Sequence, residues 1–226
     1  MALILNLETA TTNCSVSISK DNEIVVLKEN NAASYSHSEQ LHVFIKEALD
    51  EASLSFSDLD AVAISKGPGS YTGLRIGVSA AKGLCFSLEI PLISIPTLQS
   101  MALQVDAQPD ELVIPVLDAR RMEVYSCVYD SNNEEVRETL AEIIDENTFQ
   151  EYASERKVYI VGSGAEKCRG VLQHPHFIFD ESVVPSAKEM AQLAFQKYSA
   201  QQFEDVAYFE PYYLKDFVLQ QKKKKA

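Results

Sequence analysis

This chain of 226 residues has no tryptophan, only eight glycines and four cysteines, and far fewer cations than acids. Each shortage excludes something. Cys14, Cys85, Cys127 and Cys168 are widely spaced, with no C-x-x-C pair. That spacing indicates neither a disulfide framework nor a thiolate metal site, and it suits a reducing cytosol. No run of about 18 apolar residues occurs, so no membrane span is expected. The opening MALILNLETA lacks a basic leader and a small-residue cleavage region, and reads as a first strand. The net charge is −13; four of the cations are the lysine run at 222–225, and the remainder carries −17. A surface of that sign repels phosphate backbones, so the folded body is not expected to bind nucleic acid by itself. The basic tail, 222–226, reads either as a disordered, solvated end or as a weak steering element for RNA.

What is present is a repeat. With 46% hydrophobic residues the chain can build one large core or two small ones. Residues 2–7, 14–19 and 23–29 read as three strands, separated by turn signals at Thr11-Thr12-Asn13 and Asp21-Asn22. A helix follows, where Ser36 and Glu39 fit a capping box and Leu41, Phe44, Ile45, Ala48 and Leu49 form an apolar face. Then come a strand at 60–66, a glycine turn, a helix at 72–88, a strand at 92–95 and a helix at 97–104. The second half repeats the order: strands at 112–117, 123–130 and 134–140, a helix at 145–154, a strand at 157–162, a glycine turn, a helix to 172, an extended piece at 177–179 and a helix from 185 to 199. Three strands, helix, strand, helix, twice over, describes an α/β chain of two ribonuclease-H-like domains, the plan of the actin and heat-shock-ATPase superfamily. The polar stretch 105–110, with Pro109, divides them: a first domain at 1–106 and a second at 107–204. Residues 205–221 lie beyond the repeat and are expected to return to the first domain.

The densest signal is SKGPGSYTGLRIGVSAAKGL at 65–84. Gly67 and Gly69 flank Pro68, so the turn is tight and stiff. Ser70 or Thr72 can cap the next helix. Two readings stand: a compact strand-to-helix connection, or an anion site at a helix N-terminus. It is not a Walker loop, because Gly73 is followed by Leu74 and Arg75. Gly73, Gly77 and Ala81 recur every four residues and line one helical face. That face presses on its own sheet, or it admits a partner helix. The interface expectation takes the second course: the helices at 36–54 and 72–88 meet a partner, or a second copy, through His37, Leu41, Phe44, Gly73, Arg75, Gly77 and Ala81.

In the superfamily, nucleotide sits between the domains and acids at the ends of the first strands organise magnesium. The matching acids are Glu8 and Asp118, each directly after an apolar strand. With Thr9 and the turn glycines Gly67, Gly69, Gly162 and Gly164 they are the candidate nucleotide residues. Both loops lack the usual glycines after the acid, and side chains stand where backbone would approach phosphate, so capping and turn roles compete.

Nearly the whole chain resembles the TsaB family, formerly YeaZ. The resemblance rests on ILNLETATTNCSVSI, KGPGSYTGLRIGVSAAKGL, PVLDARRMEVYSCVY and FEPYYLKD. The family's first-loop acid is usually aspartate, and here it is Glu8. The resemblance implies a cytoplasmic, non-catalytic subunit in making threonylcarbamoyladenosine beside the tRNA anticodon. Its implied partners are a TsaD-like catalytic paralogue and a TsaE-like ATPase, with tRNA reached only through the complex. No cofactor is implied for this chain alone, though a nucleotide at the complex interface is possible. The catalytic relative carries H-x-x-x-H on a helix; the corresponding places here are Thr97 and Met101, poor ligands both. His37 and His42 are five apart and diverge on a helix, and His174 and His176 flank Pro175 in a loop. No metal site is expected. The competing readings are a small actin-fold ATPase or kinase using Glu8 and Asp118, and a metallopeptidase, against which the missing histidine pair argues.

Overall fold

The computed structural model describes residues 1–31 and 36–214. The apolar opening forms β1 (Leu3–Glu8), paired antiparallel with β2 (Asn13–Lys20), which in turn pairs with β3 (Glu23–Asn31). After α1 (His37–Glu51) the chain returns as β4 (Ala61–Gly67), parallel to β1. α2 (Tyr71–Leu88), β5 (Leu92–Pro96) and α3 (Thr97–Ala102) complete the first half. The second half has β6 (Leu112–Asp118), β7 (Glu123–Asp130), β8 (Glu135–Ile143), α4 (Gln150–Ala153), β9 (Val158–Val161), α5 (Ala165–Arg169), β10 (Phe177–Asp180) and α6 (Ala187–Ser199). The sheet orders, β3-β2-β1-β4-β5 and β8-β7-β6-β9-β10, are the same plan twice. The fold is therefore α/β, with two mixed five-stranded sheets flanked by helices. No helix among the described residues is long and apolar enough to cross a membrane.

The central strands are apolar on both faces because both faces are covered. In the first sheet Leu5, Leu7, Val16 and Ile18 pack beneath α1 and α2, against Leu41, Ile45, Val78 and Ala81. The opposite face, with Ala2, Ile4, Ala61, Ala63, Ile93 and Ile95, is covered by Ala187, Met190, Leu193 and Ala194 of α6. The second sheet receives α3 in the same way: Leu98, Met101 and Ala102 pack on Val113, Leu117, Cys127 and Tyr129. The halves thus exchange their last helices. This corrects the expected division into 1–106 and 107–204, since α3 belongs with the second sheet and α6 with the first. Helical periodicity shows that a face is apolar but not which sheet covers it. The cause is visible on β2, where Ser15, Ser17 and Ser19 are fully buried. Ser17 Oγ donates to the Ala187 carbonyl at 2.8 Å, and Asn13 Nδ2 donates to the Pro185 carbonyl at 3.0 Å. These groups anchor the start of α6 on the first sheet. Downstream, Glu204 bridges Leu92 and the Tyr212 amide donates to the Lys66 carbonyl at 2.7 Å, so residues 204–212 run along the first half. Residues 215–221 and the basic tail 222–226 lie outside the described residues.

Two local expectations change. Ser36 makes no side-chain cap to α1; its hydroxyl donates to Gln40 Oε1 at 2.9 Å. A capping box does form at Ser55 and Asp58, on a 3-10 turn at Phe56–Asp58. The helix expected at 145–154 shrinks to Gln150–Ala153, because Asp145 Oδ1 accepts the amides of Asn147 at 2.9 Å and Thr148 at 3.0 Å. A short acceptor side chain there offers the backbone a turn in place of a helix.

Candidate functional site

The glycine turn is held at Gly67 by a φ of +105°, a conformation open chiefly to glycine. Ser70 caps α2, its Oγ accepting the Gly73 amide at 3.3 Å. The first loop lies directly on this turn. The Ser70 amide donates to the Ala10 carbonyl at 2.6 Å. A side chain at Gly69 would collide with the Ala10 carbonyl, one at Gly73 with the Thr9 carbonyl, and one at Gly77 with the Thr9 hydroxyl and Ile64. His37 clamps the same loop from α1, its Nε2 donating to the Thr11 carbonyl at 2.6 Å; burial lowers its pKa, which keeps the ring neutral. Carbonyl oxygens therefore stand at the head of α2, where an anion would need donors. Of the two readings of the turn, this geometry supports the compact connection.

Glu8 belongs to the same cluster. It is fully buried, and its Oε1 accepts the Ala10 amide at 2.6 Å, while Oε2 has no hydrogen-bond partner. Desolvation pushes its pKa up to about 7. The Thr9 amide donates to Ser65 Oγ at 3.3 Å, tying the loop to β4. The carboxyl is thus turned into its own loop.

Asp118, the corresponding acid of the second half, is exposed. Its Oδ1 accepts the Arg120 amide at 2.6 Å and Lys167 Nζ at 2.5 Å. Lys167 also donates to the Arg121 carbonyl at 2.8 Å and the Glu123 carbonyl at 3.1 Å, so one cation from α5 fastens the whole loop. Gly162, with φ +107°, repeats the conformation of Gly67. A side chain at Gly162 would strike Met101, and one at Gly164 would press on Val116 and Val124. The structure therefore gathers Glu8, Thr9, Gly67 and Gly69 into one cluster and Asp118, Gly162 and Gly164 into another, each closed on its own residues.

The expected interface residues divide by depth. His37, Leu41, Gly73, Gly77 and Ala81 are buried within the first half. This corrects the interface expectation at those five positions: the small-residue ridge was spent on close approach to Thr9 and Ile64. Phe44 is half-buried and Arg75 exposed. The outer side of the same helix pair is open. A groove of about 690 Å³ runs between α1 and α2, lined by Ser38 and His42 on one side and by Tyr71, Arg75, Ile76, Ala80 and Leu84, among others, on the other. Gly83 has open space where a side chain would stand. Phe86 is 81% exposed and Val43 49%. The sequence did carry this signal, because Thr72, Ser79 and Phe86 share a face seven residues apart, opposite the apolar stripe. At the groove's mouth the Arg75 guanidinium lies 5.2 Å from the Tyr71 ring centroid and donates to its hydroxyl at 2.6 Å.

Thr97 and Met101, at the places of the histidine pair, are fully buried, and Met101 packs in the core between α3 and the second sheet. All four cysteines are buried, free thiols.

Comparison with known proteins bears on this geometry. A family model described as TsaD, tRNA N6-adenosine threonylcarbamoyltransferase, matches residues 29–220. The tRNA threonylcarbamoyladenosine biosynthesis protein TsaB of Escherichia coli is 30% identical over 224 residues, covering 95% of each chain. The Bacillus subtilis protein of the same name is 32% identical over 135 residues, 58% of this chain and 56% of that one. Among solved structures, YeaZ from Pseudomonas aeruginosa has a TM-score of 0.81 at 25% identity, over 95% of this chain and 100% of its own. With matching sequence over almost its full length and a matching fold, the chain belongs to the TsaB (YeaZ) family of tRNA threonylcarbamoyladenosine biosynthesis proteins.

Proposed function

We propose that this chain is a non-catalytic subunit in the formation of threonylcarbamoyladenosine on tRNA, and that it binds and activates a TsaD-like catalytic paralogue through the outer face of α1 and α2. A TsaE-like ATPase joins the assembly, and tRNA is engaged by the assembly and not by this chain. The observation that carries the reading is the open groove between α1 and α2, on helices that also expose Phe86 and Val43. Ser79, Ala80 and Gly83 are small enough to let a partner helix approach to the 8–10 Å typical of helix packing. Phe86, an aromatic side chain standing in water, gains most from being covered.

The non-catalytic part is supported by the closed loops. The Thr9 and Ala10 carbonyls cover the glycine turn, and Lys167 holds Asp118. That closure supports the reading in which this chain alone binds no nucleotide, leaving the interface with the partner as the place open to one. The test is co-purification with the TsaD-like protein. Phe86→Asp and Gly83→Leu are expected to lose the complex while the isolated chain keeps its circular dichroism spectrum. Retained binding by both variants would move the surface elsewhere. Tight ATP–magnesium binding by the isolated chain, lost on Asp118→Ala, would favour the ATPase or kinase reading instead.

A further inference from the structure

We propose that Arg75, fixed by Tyr71 and by the strap of residues 204–213, is the anchor through which the α1–α2 face receives a carboxylate from a helix of its partner protein. This rests on the outer-face reading above and names the chemistry that the face selects. The guanidinium is held before anything binds. It donates to the Tyr71 hydroxyl at 2.6 Å and lies 5.2 Å from the Tyr71 ring centroid. The Tyr213 ring packs on Tyr71 in turn, with centroids 5.0 Å apart. Tyr213 does not hang free. Upstream of it, Lys82 Nζ donates to the carbonyls of Ala207 at 3.0 Å and Phe209 at 3.1 Å. The Tyr212 amide donates to the Lys66 carbonyl at 2.7 Å. The Tyr212 carbonyl lies so close to Gly67 that a Cβ there would stand 3.0 Å from it. The strap and the head of α2 thus build one side of the groove's mouth together.

The surroundings call for an anion. Arg75 is exposed, and among the described residues no acid forms an ion pair with it. None of the side chains lining the groove is acidic, on a chain whose net charge is −13. The guanidinium is folded back over Tyr71, the first residue of α2, where the helix dipole is positive. A cation there carries a cost that an anion removes. A guanidinium stacked on an aromatic ring still presents its planar fork, which a carboxylate accepts through two parallel hydrogen bonds. The floor beside it decides the source of that anion. Ile76, Ala80 and Leu84 are half-buried and apolar. The apolar side of a helix covers them, whereas a phosphate backbone leaves them in water. The partner element is therefore an amphipathic helix with an acid at the end that meets the head of α2.

The test measures binding of the full-length chain to the TsaD-like protein. Arg75→Gln is expected to weaken it on the order of a hundredfold, and Arg75→Lys less. Unchanged affinity of Arg75→Gln overturns the proposal. Tyr213→Ala, which releases the ring beneath the guanidinium, is expected to weaken binding by less than Arg75→Gln; unchanged affinity overturns the strap's part. Arg75→Glu is expected to be rescued by reversing the charge of one acid on the partner, and failure of every such reversal overturns the carboxylate. If Arg75→Gln lowers tRNA retention by the assembly while partner binding is intact, the anion is a phosphate and the proposal is overturned. The outer-face reading fails separately. Loss of the complex by Phe86→Asp with Arg75→Gln unaffected keeps that reading and removes the anchor. Loss by Arg75→Gln with Phe86→Asp and Gly83→Leu unaffected keeps the anchor and moves the surface off the groove.

Discussion

The Ala187 amide donates to Ser15 Oγ at 3.0 Å, joining residues 172 positions apart in sequence. Ser15 is fully buried on β2, and Ala187 opens α6. This bond, with those from Ser17 and Asn13, closes the chain on itself by laying the last helix of the second half on the first sheet. Ser15→Ala leaves the Ala187 amide without its acceptor, at a cost of about 1–3 kcal/mol. Met190→Ala opens a cavity in the same layer and costs about 2–5 kcal/mol. Urea unfolding of the two variants measures both, and an unchanged midpoint for Met190→Ala would contradict the packing of α6.

Stability depends on pH through Glu8. Unfolded, its carboxyl titrates near the ordinary 4.5; folded, near 7. Below pH 4.5 both forms hold the proton. Between 4.5 and 7 only the folded chain does, so stability falls as pH rises through that window, by about 3 kcal/mol. Above pH 7 the contribution is flat. Glu8→Gln cannot ionise, so it is expected to flatten this slope and to be more stable than the native chain at pH 8. Thermal unfolding at pH 5, 6, 7 and 8 gives the comparison, and parallel native and variant curves would refute the assignment.

Two glycines of α2 are expected to behave oppositely. Gly77→Leu drives a side chain into Thr9 and Ile64, so the protein should fail to fold or lose several kcal/mol. At Gly83 an added Cβ meets nothing within 4 Å, so Gly83→Leu should fold normally and affect only what the outer face binds. Soluble yield and melting temperature separate the two before any binding is measured.

The charge distribution sets the RNA prediction. With −17 outside the terminal lysines, the body is expected to contribute little affinity for tRNA. Any retention at low salt should vanish at about 200 mM salt, because exposed charges are screened within about 8 Å there. Filter binding of full-length protein with the lysines at 222–225 replaced by glutamine tests this; tight, salt-resistant binding by that variant would overturn it.

The sequence by itself determined the elements and their repetition. Apolar runs bounded by turn signals marked the strands, and GPG and GSG marked the two turns. Those signals are local, so they survive without knowledge of packing. The capping of α2 by Ser70 was legible for the same reason. Tertiary structure decided what each apolar or small-residue face was for. The Gly73–Gly77–Ala81 ridge has the same spacing whether it meets a partner helix or its own loop, and only the position of Thr9 turned it inward. Glu8 and Asp118 look equivalent after their strands, yet one is sealed beneath Ala10 and the other is held at the surface by Lys167. The exchange of α3 and α6 was invisible for the same reason: an amphipathic helix records that one side avoids water, and hydrophobic burial has no direction that names the sheet.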